Sequence, residues 1–282
     1  MPEIEVAEQA GVGADGNPRP TEDYVTVLDN AVLLLDGATS PNPDLPPGGW
    51  YANLLAQRLT ELLTATPDAD LGAILEQAIA DVATEHGLTP GNAPSSTVAI
   101  VRWTDDRVDG LVLADSPIVA FGQSNPEVLA DDRLISLRER GKLRTGADVR
   151  YHRNADGGFW VAEADPAAAK QAVRRSWPRE NVLAMMLASD GVSIGIDEYG
   201  LFDWPEALEM AREHGSQSVL DAVRAAEKQD PDGERWPRAK RHDDQALVLL
   251  DFTETLRQGG ACPTKDRGVS RITRSRFVRD PC

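Results

Sequence analysis

Three apolar segments of the chain each end in an aspartate, a residue type that can ligate metal ions. The segments lead into Asp36, Asp115 and Asp190, and a glycine follows two of these residues, at Gly37 and Gly191. An isolated Asp-Gly pair is most often only a turn, because both residues favour turns. Several carboxylates at one rim of a β-sheet would instead suit hard cations such as Mg²⁺ or Mn²⁺. The pattern therefore suggests a metal site if folding brings the three aspartates together.

A predicted hairpin places two further carboxylates beside Asp36. Segments 24–28 and 31–35 carry β-branched and aliphatic residues on either side of a two-residue polar turn, which is typical of antiparallel strands. Glu22 and Asp23 lie at the start of the first strand, and Asp36 directly follows the second. Because the start of one strand lies beside the end of its antiparallel partner, we expect these three side chains to be neighbours.

Such a cluster of carboxylates requires compensating positive charge. Each close pair repels by about 4 kcal/mol at an effective dielectric constant of about 20. Without cations, several of the groups would have to bind protons at neutral pH. Divalent ions would remove the repulsion and lower the pKa of a bound water, which could then attack a phosphate monoester. This chemistry needs no covalent enzyme intermediate.

Composition narrows the classes of function. The chain has 282 residues and a formal net charge of -17, which disfavours a nucleic-acid binder because the phosphate backbone repels an acidic surface. The sequence has no apolar run long enough for a membrane helix and no secretory pattern, so we expect a cytosolic protein without a membrane partner. Both cysteines, Cys262 and Cys282, lie near the end, so the body of the chain offers no thiolate metal site.

The hydrophobic periodicity predicts two pairs of helices, each of which lies between groups of strands in the sequence. Outside the hairpin, we expect strands at 4–7, 97–103, 108–114, 118–121, 183–188 and 245–251, and helices at 50–63, 71–82, 204–214 and 216–228. The strands between 97 and 121 are expected to form one antiparallel meander. We expect one domain over 1–252, a variable insertion or lid at 131–180 with a helix at 165–175, and a basic, disordered tail at 253–282.

Six short motifs, taken in order, resemble those of the type-2C metal-dependent Ser/Thr protein phosphatases, the PPM family, over about residues 15–252. The motifs are Glu22-Asp23, Leu35-Asp36-Gly37, Ser95-Ser96-Thr97, Ala114-Asp115-Ser116, Ala188-Ser189-Asp190-Gly191 and Asp243-Asp244. Any one motif is a weak match, whereas six in register at compatible separations form a specific one. The resemblance implies an α+β fold, a four-layer α-β-β-α sandwich of two antiparallel sheets flanked by helices.

The resemblance also implies a centre of two Mn²⁺ or Mg²⁺ ions with a third, weaker position. Asp36 would bridge the two ions, and Glu22 and the carbonyl of Gly37 would bind one of them. The remaining roles implied are Asp190 and Asp243 as ligands of the other ion, Asp115 with Asp190 at the third position, Asp23 as the residue that orients water, and Arg19 as the phosphate-binding residue. A bridging hydroxide would attack the phosphate of a phosphoserine or phosphothreonine protein substrate. We expect the protein to be a monomer.

The sequence departs from the family pattern at several positions. Ala38 stands where some relatives carry a histidine, and Arg19 lies three residues before the glutamate, where the family's arginine commonly lies four before it. Pro117 and Ala246 replace an arginine and a threonine that often follow the acidic motifs. These departures leave an alternative open, a weakly active or inactive pseudophosphatase that acts as a binding module. A phosphatase of the haloacid dehalogenase type is excluded, because its Asp-x-Asp motif is absent at Asp36.

Overall fold

Two β-sheets stack face to face, and helices cover both outer faces, in this computed structural model. The structure describes residues 1–13, 16–38, 44–238 and 240–253, and the backbone of 273–274. The strands are β1 (Glu3–Gln9), β2 (Asp23–Val27), β3 (Ala31–Asp36), β4 (Val98–Trp103), β5 (Arg107–Leu113), β6 (Ile118–Phe121), β7 (Glu127–Leu129), β8 (Val173–Pro178), β9 (Ala184–Ala188), β10 (Gln245–Asp251) and β11 (Thr273–Arg274). The α-helices are α1 (Gly48–Ala65), α2 (Leu71–His86), α3 (Arg133–Glu139), α4 (Gly146–His152), α5 (Asp190–Asp197), α6 (Trp204–His214) and α7 (Gln217–Gln229).

The strand order of each sheet confirms the predicted fold class. One sheet has the order β2-β3-β4-β5-β8, and the other has the order β11-β1-β10-β9-β6-β7. Neighbouring strands are antiparallel except for β1 and β11, which run parallel. Helices α1 and α2 pack on the first sheet, while α6 and α7 pack on the second. The predicted four-layer α-β-β-α sandwich is therefore correct.

Strand β3 shows why its sequence is uniformly apolar. Leu33 and Leu35 pack in the cluster formed with α1 and α2, whereas Val32 and Leu34 pack between the two sheets. All four side chains are fully buried, because both faces of this strand are covered. Burial of each such side chain contributes about 1.5 to 3 kcal/mol. This anchoring fixes the position of Asp36 at the end of the strand.

A pair of reciprocal hydrogen bonds caps the start of α6. The side chain of Asp203 accepts a hydrogen bond from the Glu206 backbone N–H at 2.9 Å, and the Glu206 side chain accepts one from the Asp203 N–H at 2.9 Å. This reciprocal arrangement satisfies two backbone donors that the first turn leaves without helical partners. The helix therefore begins where the sequence predicts.

Two predictions between residues 97 and 178 are wrong. Strands β4 and β5 pair as expected, but β6 leaves this meander and joins the other sheet beside β9. The predicted helix at 165–175 is instead a 3-10 helix at Pro166–Gln171 followed by strand β8, which pairs with β5. The alanine run at 167–169 favours a helix, but pairing with the open edge of β5 overrides this local preference. Helix α5 and strand β7 were not expected.

The domain limits predicted from the sequence stay predictions. Within the expected insertion at 131–180, the structure places the short helices α3 and α4 before the 3-10 helix and β8. The predicted disordered tail at 253–282 lies outside the described residues, apart from Thr253 and the backbone of β11. Within the described ranges, no helix is long and apolar enough to cross a membrane.

Candidate metal centre

The β2–β3 hairpin brings three predicted site residues together. Asp23 and Asp36 lie directly opposite each other in the strand register. The backbone N–H of Gly37 donates a hydrogen bond of 3.0 Å to the carbonyl oxygen of Glu22, which extends this pairing beyond the strands. The hairpin interpretation therefore predicts this neighbourhood correctly.

The backbone of Asp36 is held from both sides by the segment that precedes β4. Its N–H donates to Oγ1 of Thr97 at 3.0 Å, and its carbonyl oxygen accepts from Oγ of Ser96 at 2.9 Å and from the N–H of Thr97 at 2.9 Å. Oγ1 of Thr97 also lies 2.7 Å from Oγ of Ser116. Because these small hydroxyl residues bind backbone atoms, they position the aspartate and leave its carboxylate for other partners.

A cavity of about 850 Å³ collects most of the predicted metal ligands. The predicted ligands that line it are Asp36, Gly37, Asp115, Asp190 and Asp243. They come from both sheets, since β3 and β5 belong to one and β9 and β10 to the other. The remaining three candidates, Arg19, Glu22 and Asp23, are not among the described residues that line the cavity.

Asp190 and Asp243 reach this cavity from adjacent strands of the second sheet. Asp190 is the first residue of α5 and comes two residues after the end of β9, while Asp243 lies two residues before β10. The two strands pair antiparallel, with Ala188 opposite Leu247. The end of one strand therefore lies beside the start of the other, and the two carboxylates meet at the same rim.

Burial and mutual repulsion raise the pKa of several of these carboxyl groups. For Asp36, burial is the largest cause, and repulsion from Asp23, Asp190, Asp243 and Asp115 adds to it. For Asp190, burial, then repulsion from Asp243 and Asp115, raises the pKa to about 7, although a hydrogen bond with Asp36 opposes the increase. The pKa of Asp115 is also raised, mainly by burial. At neutral pH, the centre therefore holds protons that a cation would displace.

Asp23 carries two buried oxygens without hydrogen-bond partners in the described protein. The residue is 1% exposed, and neither carboxylate oxygen makes a hydrogen bond of normal geometry. Burial raises its pKa strongly, and repulsion from Asp244 and Asp190 adds to the effect, while nearby Ser189 opposes it. A buried carboxyl group without partners is costly. Its oxygens are therefore suited to a water or cation beside Asp36.

Arg19 forms ion pairs with Glu22, Asp243 and Asp244 and is not among the described residues that line the cavity. Its guanidinium forms an ion pair with Glu22 and lies 2.6 Å from Oδ2 of Asp244. Asp244 is 2% exposed, and its Oδ1 accepts a hydrogen bond of 2.7 Å from the N–H of Gly11. The sequence pointed to the Asp243-Asp244 pair but assigned a role only to Asp243. The structure gives Asp244 a positioning role, since it anchors Arg19 beside Glu22.

The helix α1 begins against the end of β3. A Cβ atom on Gly37 would collide with the backbone of Gly48 and Gly49, so only glycine allows this approach. The N–H of Gly49 donates to Oε1 of Glu22 at 3.3 Å. The positive end of the helix dipole therefore stabilises the glutamate. The helix expected at 50–63 leaves this glycine pair out, although two glycines before an apolar periodic segment signal a close backbone contact.

Lys240 is a charged residue of the cavity for which the sequence predicted no role. Its Nζ lies 2.6 Å from Oδ1 of Asp243, and its side chain lines the same cavity. The only sequence signal was a lysine three residues before the acidic pair. Together, Arg19 and Lys240 supply positive charge to Glu22 and Asp243.

The carboxylates that line the cavity are not as closely spaced as the ligands of a metal site. Among the residues that the structure describes, no group of three or more His, Cys, Asp or Glu side chains is arranged to hold a metal ion. The protein's own cations, Arg19 and Lys240, bind two of the predicted ligands in this arrangement. The donor chemistry still fits Mn²⁺ or Mg²⁺, because every candidate ligand supplies oxygen and the oxygens of Asp23 have no protein partner.

Comparison with known proteins gives fold relatives. No family model matches the sequence, and no curated protein matches it. The serine/threonine phosphatase Stp1 from Staphylococcus aureus is 14% identical, with 89% of this chain and 95% of that chain covered, at a TM-score of 0.61. The catalytic domain of the phosphatase PstP, solved in complex with two manganese ions, is 16% identical, with 88% and 96% covered, at a TM-score of 0.56.

A third relative is the PPM Ser-Thr phosphatase MsPP from Mycobacterium smegmatis, solved in complex with cacodylate. It is 16% identical, with 88% of this chain and 97% of that chain covered, at a TM-score of 0.55. In each comparison, nearly the whole of the solved chain is matched, so the likeness extends over both sheets and their helices. The resemblance seen in the sequence motifs is confirmed at the level of architecture, and the chain has the fold of the PPM-type Ser/Thr phosphatases.

Proposed function

We propose that this protein is a metal-dependent phosphomonoester hydrolase that acts on phosphoserine or phosphothreonine in proteins. The observation that carries the proposal is the convergence of Asp36, Asp115, Asp190 and Asp243 on one cavity. These residues come from distant parts of the chain and from both sheets. The raised pKa values of Asp36, Asp115 and Asp190 mean that their charged forms are costly to the fold, and such groups are characteristic of functional sites. The fold shared with known phosphatases supports the same reaction.

The chain's oxygen donors would bind two divalent ions. We assign Asp36 as the ligand shared by both ions, and Glu22 and the carbonyl of Gly37 as ligands of the first. Asp190 and Asp243 would hold the second ion, and Asp115 would serve a third, weaker position. Bound Mn²⁺ or Mg²⁺ would supply Lewis acidity toward the phosphate and a lowered pKa for the attacking water. Asp36 and Asp190 would in turn lose the protons that their raised pKa values retain.

Three residues contribute to catalysis by position. Asp36 is fixed by its backbone hydrogen bonds to Ser96 and Thr97, so its carboxylate is held rigidly at the strand end. Asp23 lies opposite Asp36 and carries buried oxygens that could accept a proton from the attacking water. Arg19 keeps Glu22 in place through their ion pair. We therefore assign Arg19 a positioning role rather than the phosphate contact that the sequence resemblance implied.

The alternative is a pseudophosphatase, a binding protein that retains the fold without turnover. Three observations favour it. Nζ of Lys240 lies 2.6 Å from Oδ1 of the predicted ligand Asp243, and within the described ranges no three carboxylates have the spacing of a metal site. Ala38 also stands where some relatives carry a proton donor. The cytosolic location and the monomeric state stay predictions under either function.

Hydrolysis assays separate the two functions. We expect the purified full chain to release phosphate from para-nitrophenyl phosphate and from a phosphothreonine peptide only when Mn²⁺ is present. Asp36→Asn and Asp190→Asn should each reduce the rate at least about a hundredfold, since each would remove a ligand on which the transition-state charge depends. Asp68→Asn, at an exposed position before α2, is the matched control and should retain the wild-type rate.

The results of these assays decide between a metal-dependent hydrolase and a pseudophosphatase. No phosphate release at any Mn²⁺ concentration, with peptide binding retained, would favour the pseudophosphatase. Full activity in both aspartate variants would refute the proposed centre, because a reaction independent of Asp36 and Asp190 cannot use this cavity as described.

A further inference from the structure

We propose that Lys240 binds the phosphate group of the substrate once metal ions occupy the centre, an inference that rests on the proposed hydrolase function. Its Nζ lies 2.6 Å from Oδ1 of Asp243, and its side chain is 28% exposed. It lines the same cavity as Asp36 and Asp190. Lys240 therefore shares the cavity with the predicted metal ligands and contacts one of them, Asp243.

A phosphate monoester needs positive charge in this cavity. The ester is a dianion near neutral pH, and the aspartates that line the cavity repel it. The arginine expected from the sequence to bind phosphate does not line the cavity. Both terminal nitrogens of Arg19 are committed instead, one to Glu22 and the other to the buried Asp244. Besides the metal ions, the candidates for a contact with the phosphate are therefore the basic side chains that line the cavity.

Lys240 is better placed for this role than the arginines with which it shares the cavity. Arg153 and Arg238 are held in ion pairs with buried carboxylates, at 2.8 and 3.0 Å. Arg138 and Arg150 belong to the short helices α3 and α4 and are both exposed, and Arg138 lies 3.9 Å from Asp115. Lys240 instead contacts the predicted ligand Asp243, beside the rim where β9 and β10 place the carboxylates.

Metal binding would release the lysine from its present partner. A divalent cation and an ammonium group cannot share the carboxylate of Asp243 closely, because like charges repel. The flexible four-carbon stem of lysine allows the ammonium to move a short distance without any change in the backbone. An ammonium group has three donors for phosphate oxygens. Lys240 therefore pairs with Asp243 in the metal-free protein and with the substrate phosphate in the metal-loaded protein.

Titration of inorganic phosphate into the Mn²⁺-loaded full chain tests this assignment by calorimetry. We expect Lys240→Gln to weaken phosphate binding by about tenfold or more, because a charge-assisted hydrogen bond is lost. Lys240→Arg should retain an affinity close to that of the wild type. The matched control is Lys170→Gln, which removes an exposed lysine paired with Glu76 at 3.1 Å and should leave phosphate binding unchanged. With para-nitrophenyl phosphate, Lys240→Gln should raise KM more than it lowers kcat.

The affinity for Mn²⁺ provides a second readout. Lys240→Gln should bind Mn²⁺ at least as tightly as the wild type, because the competing ammonium is gone. Equal phosphate affinity in the wild type and in Lys240→Gln would overturn the proposal. So would a wild type that binds Mn²⁺ but no phosphate, or a glutamine variant that has lost Mn²⁺ binding, which would indicate a purely structural lysine. A wild type that binds phosphate through Lys240 but hydrolyses no substrate would refute only the proposed enzyme function.

Discussion

Replacement of Asp190 with asparagine should stabilise the metal-free protein at alkaline pH. Burial, followed by repulsion from Asp243 and Asp115, raises the pKa of Asp190 from 3.8 to about 7. Three pKa units correspond to about 4 kcal/mol between the two protonation states. Asp190 is partly exposed at the cavity, so solvent screening reduces this value, and we expect about 2 kcal/mol. Asparagine keeps the shape of the side chain and removes its charge.

The sign of the effect follows from the protons bound in each state. Between pH 3.8 and about 7, Asp190 holds a proton in the folded protein but loses it in the unfolded chain. The folded state binds more protons in this window, so the free energy of unfolding falls as pH rises through it. Above pH 7 the full cost is present, whereas below pH 3.8 it is absent. The asparagine variant has no such titration at this position.

Urea unfolding with a chelator at pH 4.5 and at pH 8 measures this difference. We expect wild type and Asp190→Asn to differ little at pH 4.5, and the variant to be more stable by about 2 kcal/mol at pH 8. The exposed Asp68→Asn is the control and should match the wild type at both pH values. If the wild type and Asp190→Asn show the same stability at both pH values, the reasoning about a strained carboxylate at this position is wrong.

Two further predictions concern the same region. A hundredfold excess of Mn²⁺ over its Kd should stabilise the wild type by about 2.7 kcal/mol, and thermal melting should show no such gain for Asp36→Ala. Ala114→Gly should leave the stability within about 0.5 kcal/mol of the wild type in urea unfolding, because relief of the strained φ of +69° at Ala114 is offset by the entropy of glycine and by the loss of a buried methyl group. An unchanged melting curve with Mn²⁺, or a glycine variant that differs from the wild type by well over about 1 kcal/mol, would contradict these expectations.

The parts of the site that the sequence predicts are those fixed by local pairing. The β2–β3 hairpin follows from two apolar segments around a short turn, and its register places Asp23 opposite Asp36. Helices α1 and α2 follow from apolar residues at helical spacing, because a stripe of such residues must face the sheet. Residues close together in the sequence determine the hairpin and the two helices. The pattern of residue types along the chain is therefore sufficient to predict these elements.

Features set by contacts between distant segments could not be predicted in the same way. Arg19 and Asp244 are 225 residues apart in sequence, and neither has a local signal for their 2.6 Å contact. The short apolar sequence of β6 would suit a strand in either sheet. Its place beside β9 therefore depends on the path of the chain after the turn at Ala114 and on packing between the sheets. The role of Lys240 likewise depends on where the loop before β10 lies relative to the cavity.

The distribution of positive charge explains which carboxylates depend on an external cation. Glu22 has Arg19 and the start of α1 beside it, and Asp243 has Lys240. Among the described residues Asp36 forms no ion pair, although Lys240 is near enough to attract it, and burial and the surrounding aspartates raise the pKa of Asp36. A cation gains most where the protein leaves negative charge uncompensated, so Asp36 is where binding of Mn²⁺ should displace protons. If the predicted centre forms, metal binding should therefore become tighter as pH rises, because ligand protons compete with the ion.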